Sequence, residues 1–145
     1  MKLRKHIRSS SGFTVAELMT TVGVAAILIG IAVPGFLSWL PTLHLSDAAR
    51  QVATDLQLAR MTAISQNTAT TVAFNVTNAT YSFGTESRDL SDLYPGITIS
   101  SVTPANPTFS MRGTVTGGGT TTITLSNGSD TKQVQVNSVG RVAMP

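Results

Sequence analysis

The sequence predicts an α+β protein in which one long N-terminal helix supports a small head of antiparallel strands. Two observations carry this prediction. A stretch without any charged residue runs from Leu18 to Leu40 and continues into a helix-periodic stretch that ends near Asn67. From Thr68 onward the chain is rich in Thr, Val, Ser, Asn and Gly, a composition typical of strands and turns. The 145 residues suit one modest domain with an anchor.

The first half of the predicted helix, from about Phe13, is apolar on all sides. About 20 apolar residues suffice to cross a bilayer, so Leu18–Leu40 predicts a single membrane span. Pro34 removes an internal hydrogen bond of the helix and predicts a kink there. Four basic residues precede the span: Lys2, Arg4, Lys5 and Arg8. By the positive-inside rule, this end of the chain lies on the cytoplasmic side of the membrane.

The second half of the predicted helix is apolar on one side only. An apolar stripe recurs every three or four residues: Leu45, Ala49, Val52, Leu56, Ala59 and Ala63. The charged residues are expected to lie largely off it: Asp47, Arg50, Asp55 and Arg60. Such a helix packs its apolar face on a domain, and the strands need a cover for their own apolar faces.

Seven strands are expected after the helix. In chain order they are TATTVAFNV, YSF, ITISSV, TFSMRG, TTTITLS, KQVQV and RVAM, with an Asn-Gly turn before KQVQV. The run Gly117–Gly119 predicts a hairpin loop. In TESRDLSDLYPG, the acidic residues Glu86, Asp89 and Asp92 could hold calcium, but their spacing matches no standard calcium loop. We therefore expect a solvated loop there.

Composition excludes several classes of function. The chain has no cysteine, which excludes a disulfide scaffold and a thiolate metal site. The net charge of +3 comes from the N-terminal leader, because after residue 12 six basic residues face seven acidic ones. The basic pI therefore gives no argument for nucleic-acid binding. Beyond the leader the only histidine is His44, so no Ser-His-acid triad or histidine metal site can be built. We expect no enzyme, cofactor or metal.

Glu17 is the one carboxylate near the start of the apolar segment, where an unpaired charge is costly. It would harm an ordinary secretory signal peptide, and a plain signal anchor leaves it unexplained. A monomeric, membrane-tethered binding module has no use for it. All three interpretations therefore leave the carboxylate of Glu17 unexplained.

The stretch GFTVAE, residues 12–17, followed by the apolar run and Pro34, resembles the class III signal of type IV pilins and type II secretion pseudopilins. The usual form of that signal is close to GFTLIE. The resemblance implies that a prepilin peptidase cuts between Gly12 and Phe13 and methylates the Phe13 amine. Glu17 then meets the Phe13 amine of a neighbouring subunit in a filament, where a mismatched stack leaves a buried charge unpaired.

Three further motifs resemble the GspH/FimT-type minor subunits of these systems. They are DLQLAR at residues 55–60 followed by Ala63-Ile64, F-x-x-x-G at Phe109 and Gly113, and a C-terminal strand-turn-strand with Gly140-Arg141. The resemblance implies a leader at 1–12, a transmembrane and assembly helix at 13–42, and an α+β head at 43–145. It also implies a single-pass protein of the bacterial inner membrane, with its head in the periplasm, that joins a pseudopilus or pilus at or near its tip.

Some members of that group bind DNA and tend to end in Gly-Arg-x-Arg. Here Ala143 stands in place of the second arginine, which leaves Arg141 as the candidate DNA contact. From Ser46 onward six basic residues balance six acidic ones, and the sequence shows no cluster of cations. Because phosphate binding depends on clustered cations, we expect weak or no binding of duplex DNA by the head.

Overall fold

The computed structural model describes residues 12–145 and confirms the α+β class, with one long helix and antiparallel strands. The helix α1 spans Val15–Ser65 and continues through Pro34. Because proline has no N–H, the carbonyl of residue 30 lacks its helical hydrogen-bond partner. Whether the helix bends at Pro34 stays a prediction. The chain divides into two compact units after Ser38. The predicted leader, apart from Gly12, lies outside the described residues.

Local hydrogen bonds set both ends of α1. At the start, the Thr14 hydroxyl accepts a hydrogen bond from the backbone N–H of Glu17 at 3.2 Å. This is one half of a capping box, in which Ser or Thr precedes Glu by three residues. At the end, Asn67 adopts a φ of 51°, and the Thr68 N–H donates to the Ala63 carbonyl at 3.1 Å. A left-handed residue with this bond is a common helix terminator.

Eight strands and one short helix follow α1. In chain order they are β1 Thr70–Asn75, β2 Thr80–Phe83, β3 Glu86–Asp89, α2 Leu90–Leu93, β4 Thr98–Thr103, β5 Thr108–Phe109, β6 Thr121–Ser126, β7 Thr131–Val136 and β8 Val142–Ala143. All seven predicted strands occur. The expected solvated loop after Gly84 is wrong, because β3 pairs with β2 and α2 follows directly. Its charged residues suit an edge strand, where charges oppose aggregation.

The strands form two four-stranded antiparallel sheets, in the orders β3-β2-β1-β5 and β4-β6-β7-β8. The connection from β5 to β6 contains Gly117–Gly119, so this segment joins the two sheets and is not the hairpin loop that we expected. The Asn127-Gly128 turn joins β6 to β7 as predicted, and the two strands pair along six residues. Gly128 has a φ of 90°, which suits glycine in such a turn.

A single apolar core joins one face of α1 to both sheets. The predicted stripe is confirmed, because all six of its residues are buried. The opposing residues on β6 and β7 are fully buried as well: Ile123, Leu125, Val134 and Val136. Period-two alternation on these strands therefore places their apolar side chains in the core, with Thr121 beside them, and turns their glutamines away from it.

Asp55 is the exception to the predicted helix pattern. The sequence predicts Asp55 off the apolar stripe, yet only 3% of its surface is exposed. Its Oδ2 atom accepts hydrogen bonds from the Tyr81 hydroxyl at 2.6 Å and from Gln51 Nε2 at 3.1 Å. Arg88 Nε lies 3.7 Å from the same oxygen. A buried carboxylate is tolerated when donors and a cation surround it, and these groups fasten α1 to β2 and β3.

We expect Tyr81→Phe to lower the free energy of unfolding by about 1–3 kcal/mol at neutral pH, because the Asp55 carboxylate loses its shortest hydrogen bond. Burial, together with the hydrogen bond to Asp55, raises the pKa of Tyr81 above its ordinary value of 10.0. The unfolded tyrosine therefore ionises first, and this contribution to stability is complete below pH 10.0 and declines above it.

Urea unfolding of wild type and Tyr81→Phe checks both parts of this prediction. The difference in the free energy of unfolding between the two proteins should be largest at neutral pH and smaller at a pH of about 11. Groups that titrate in both proteins do not contribute to this difference. A difference that stays constant with pH would show that the pKa of Tyr81 is not raised in the folded protein.

A fragment that begins near Leu43 should be soluble and fold cooperatively. The buried core starts at Leu45, so removal of the preceding residues leaves every core contact of the head in place. Far-ultraviolet circular dichroism should show mixed helix and strand with a single melting transition. Aggregation or a disordered spectrum would mean that the head depends on the N-terminal half of α1 or on a partner.

Candidate functional site

The predicted cleavage site lies just outside the helix. Gly12, Phe13 and Thr14 precede α1 and have no regular secondary structure. All three are exposed, and 80% of the Phe13 surface is accessible. Glu17 lies in the first helical turn, where a negative charge is favoured by the helix dipole. The residues expected for processing and for assembly therefore lie within five residues of one another.

The helix beyond Glu17 exposes apolar side chains on every side. Every residue from Leu18 to Trp39 is exposed, including Ile27, Ile31 and Phe36. By length and composition this helix can cross a membrane. Such an apolar surface is stable only when lipid or other protein covers it.

Arg60 joins three segments of the head. Its Nε–H donates to the Gly113 carbonyl at 2.9 Å, so the helix holds the turn that follows β5. A Cβ atom added to Gly140 would lie 2.0 Å from the Gly113 oxygen and 2.9 Å from Arg60 Nε. The three motifs of the family resemblance, which are far apart in sequence, therefore meet at one point. We call Arg60, Gly113 and Gly140 the arginine junction.

Both glycines of the arginine junction are required by their surroundings. Gly113 and Gly140 have φ angles of 75° and 76°, a region that favours glycine. A Cβ on Gly113 would lie 2.7 Å from Ile64 Cδ1. A backbone hydrogen bond also joins the two turns, because the Val115 N–H donates to the Ser138 carbonyl at 2.9 Å. The positive φ angles, the side chains packed on Gly113 and the backbone packed on Gly140 explain both glycines without reference to any ligand.

Arg141, the candidate DNA contact, is exposed and follows the arginine junction directly. Its backbone N–H donates to Asn137 Oδ1 at 2.8 Å, which fixes the turn that carries it. Arg141 and Arg60 line the same groove beside α1. The sequence shows no cluster of cations, but the fold brings these two together.

The acidic residues considered for calcium serve the local fold. Arg88 Nη1 lies 3.1 Å from Glu86 Oε2. Asp89 caps α2 by accepting from the Ser91 and Asp92 N–H groups, and the Ser91 hydroxyl lowers the pKa of the Asp89 carboxyl below its usual value. Between residues 12 and 145, no three His, Asp or Glu side chains lie close enough to hold a metal ion.

Sequence reasoning missed Thr14, which had a usable signal because Thr14 and Glu17 have the spacing of a capping box. It noted Asp55 and Arg60 only as members of the DLQLAR motif and missed their contacts. No local signal shows these contacts, because the partners Tyr81 and Gly113 lie 26 and 53 residues further along the chain.

The arginine junction yields a matched pair of substitutions. Gly140→Ala should lower the free energy of unfolding by about 3 kcal/mol or more, because it adds a backbone collision to the strain of a positive φ. Gly118→Ala should cost about 1 kcal/mol, because its φ is 61° but no atom lies within 4 Å of the added Cβ. Urea unfolding measures both, and equal losses would contradict the close approach at Gly140.

Comparison with known proteins places the chain in a family. The family model described as "Type II transport protein GspH" matches residues 48–140, more than half of the chain. This region contains Arg60, Gly113 and Gly140. Among curated protein sequences, none matches the chain.

Solved structures share the fold. The type IV minor pilin FimU of Pseudomonas aeruginosa was solved in two crystal forms, with TM-scores of 0.58 and 0.59 at 18% and 20% identity. The matches cover 70% of this chain and 92% and 87% of the FimU chains. The minor pseudopilin EpsH from the type 2 secretion system of Vibrio cholerae has a TM-score of 0.55 at 14% identity, covering 70% of this chain and 96% of EpsH. With this fold and the family match over residues 48–140, the chain belongs to the GspH family of type II transport proteins.

Proposed function

We propose that this protein is a minor pilin or pseudopilin, made as a membrane-anchored precursor and then assembled into a filament. A prepilin peptidase cuts between Gly12 and Phe13 and methylates the new amine. The helix then leaves the inner membrane for the filament, with the head on the periplasmic side. The subunit takes a place at or near the tip of a type II secretion pseudopilus or a type IV pilus.

One observation carries this proposal: a single carboxylate, Glu17, stands at the start of a helix whose apolar side chains are exposed all round. Cleavage after Gly12 removes the basic leader and leaves one cation, the Phe13 amine, four residues before Glu17. In a bundle of such helices, the amine of one subunit and the carboxylate of its neighbour neutralise each other. Because an unpaired charge in this environment is costly, the pair sets the register of the stack.

The capping contact offers a purely structural role for Glu17. A glutamate at this position of a capping box, and near the positive end of the helix dipole, stabilises the first turn. Only the half formed by the Thr14 hydroxyl is present in the described residues. Glutamine supports a capping box as well as glutamate does but carries no charge. Glu17→Gln therefore keeps a side chain that can complete the cap and removes the charge.

A monomeric, membrane-tethered binding module is the main alternative. It would use the same anchor and the same head, but it would need no charge pair between subunits. Membership of a family of pilin-like structural subunits supports assembly with other pilins. Dependence of assembly on the Glu17 charge distinguishes the two functions.

Processing is tested by mass analysis of the protein extracted from membranes. Cleavage at the exposed, non-helical peptide bond after Gly12 should leave methylated Phe13 as the first residue. Expression in cells that lack a prepilin peptidase should leave the leader attached. Retention of Met1 in the presence of the peptidase, or a cut after Ala32, would overturn the proposed maturation.

Assembly is tested with Glu17→Ala and Glu17→Gln. Both variants should be inserted and cleaved normally, because the head and the scissile bond are unchanged. Their amount in sheared filaments should fall on the order of 10-fold or more, because the Phe13 amine of a neighbour loses its partner.

The glutamine variant is decisive. If Glu17→Gln assembles like wild type while Glu17→Ala does not, the cap and not the charge is what assembly requires. Normal assembly of both variants would remove the basis for a charge pair between subunits.

A further inference from the structure

A groove runs beside the last turns of α1, with a volume of about 290 Å³. Arg60 and Arg141 supply its charged groups, and Met61, Ile64 and Val142 its apolar surface. We call these five residues the arginine groove. The arginine junction fixes its geometry, because the turn that carries Arg141 packs against Gly113 and Arg60.

The two arginines of the groove have no carboxylate partner in the described chain. The ion pairs among residues 12–145 join Arg50 to Asp47 and Arg88 to Asp55 and Glu86. Of the five N–H donors of Arg60, one is used, by the Gly113 carbonyl, and this bond already orients the guanidinium. The remaining donors of Arg60 and the fork of Arg141 suit a carboxylate, which arginine binds with paired hydrogen bonds.

The apolar part of the groove is unusual for a surface. Met61 and Ile64 are 66% and 47% exposed and lie three residues apart on α1, so they form one patch. Phosphate binding gains nothing from an aliphatic patch, whereas protein interfaces combine buried methionine and aliphatic contacts with arginine. Charge and apolar surface together therefore favour a protein segment over a nucleic acid.

We propose that the arginine groove binds a neighbouring pilin-like subunit through a segment that places an Asp or Glu carboxylate beside an aliphatic side chain. This inference rests on the proposed function, because the partner is a filament neighbour. The carboxylate lies between Arg60 and Arg141, and the aliphatic side chain covers Met61 and Ile64. Since Arg60 is held in place before binding, little of its freedom is lost on contact.

The test uses the full-length protein in cells that assemble the filament, with the photoreactive residue benzoylphenylalanine in place of Met61. The control position is Ser129, which is exposed in the turn between β6 and β7, away from the groove. Illumination should join position 61, and not position 129, to another pilin-like subunit. The crosslinked peptide, identified by mass spectrometry, should contain an Asp or Glu.

Charge reversal makes the test specific. Arg141→Glu should lower crosslinking from position 61 on the order of 10-fold, because it puts a carboxylate against a carboxylate. Lys132→Glu makes the same change of charge on an exposed residue of β7 and should leave crosslinking unchanged. Reversal of the identified partner carboxylate to lysine should restore crosslinking to Arg141→Glu.

Several results would overturn the inference. One is a crosslinked peptide without an acidic residue, and another is crosslinking that Arg141→Glu does not reduce. The others are attachment to nucleic acid and a yield of crosslinked product from position 61 that is no higher than from position 129. The wild-type protein in sheared filaments is measured in the same cells. If it is incorporated but position 61 captures no neighbour, the groove proposal is wrong and the proposed function stands. If it is not incorporated, both are wrong, because the groove then has no filament neighbour.

Discussion

The head depends on one constraint: a single face of α1 must cover two sheets that form no ladder with each other. Five of the nine buried helix residues are alanines, and small side chains let the strands approach the helix closely. The larger residues, Leu45, Val52 and Leu56, then fill the space between the sheets. Loss of the helix would leave two four-stranded sheets, each with an apolar face exposed to water.

Two polar contacts from α1 complement this apolar packing. Asp55 binds Tyr81 and so fastens the helix to β2, within the sheet that contains β1. Arg60 binds the Gly113 carbonyl and so fastens the helix to the turn that packs on Gly140. Apolar contacts tolerate small shifts, whereas hydrogen bonds to buried groups do not. These contacts therefore fix the register of helix and strands, and the position of Arg141 follows from the second of them.

The class of fold, the helix and seven strands were predictable because each leaves a local pattern in the sequence. Period-two alternation identified β6 and β7, and the stripe from Leu45 to Ala63 identified the buried face. β3 escaped because an edge strand of charged residues has no apolar alternation. The arginine junction escaped because its members lie 53 and 27 residues apart, and no local rule links a helix arginine to glycines in two turns.

Under the proposed function, Glu17 meets two demands, one in the uncut chain and one in the filament. In the structure, the Thr14 hydroxyl caps its backbone N–H, and its charge lies near the positive end of the helix dipole. These contacts favour a helix that begins at Val15 and keep the peptide bond after Gly12 outside it. If the chain is cut after Gly12, as we propose, it begins at Phe13, and its terminal amine is a cation two residues before that helix. Under this proposal the first turn carries a positive amine and a negative carboxylate close together, so stacked subunits satisfy each other's charges only in matching registers.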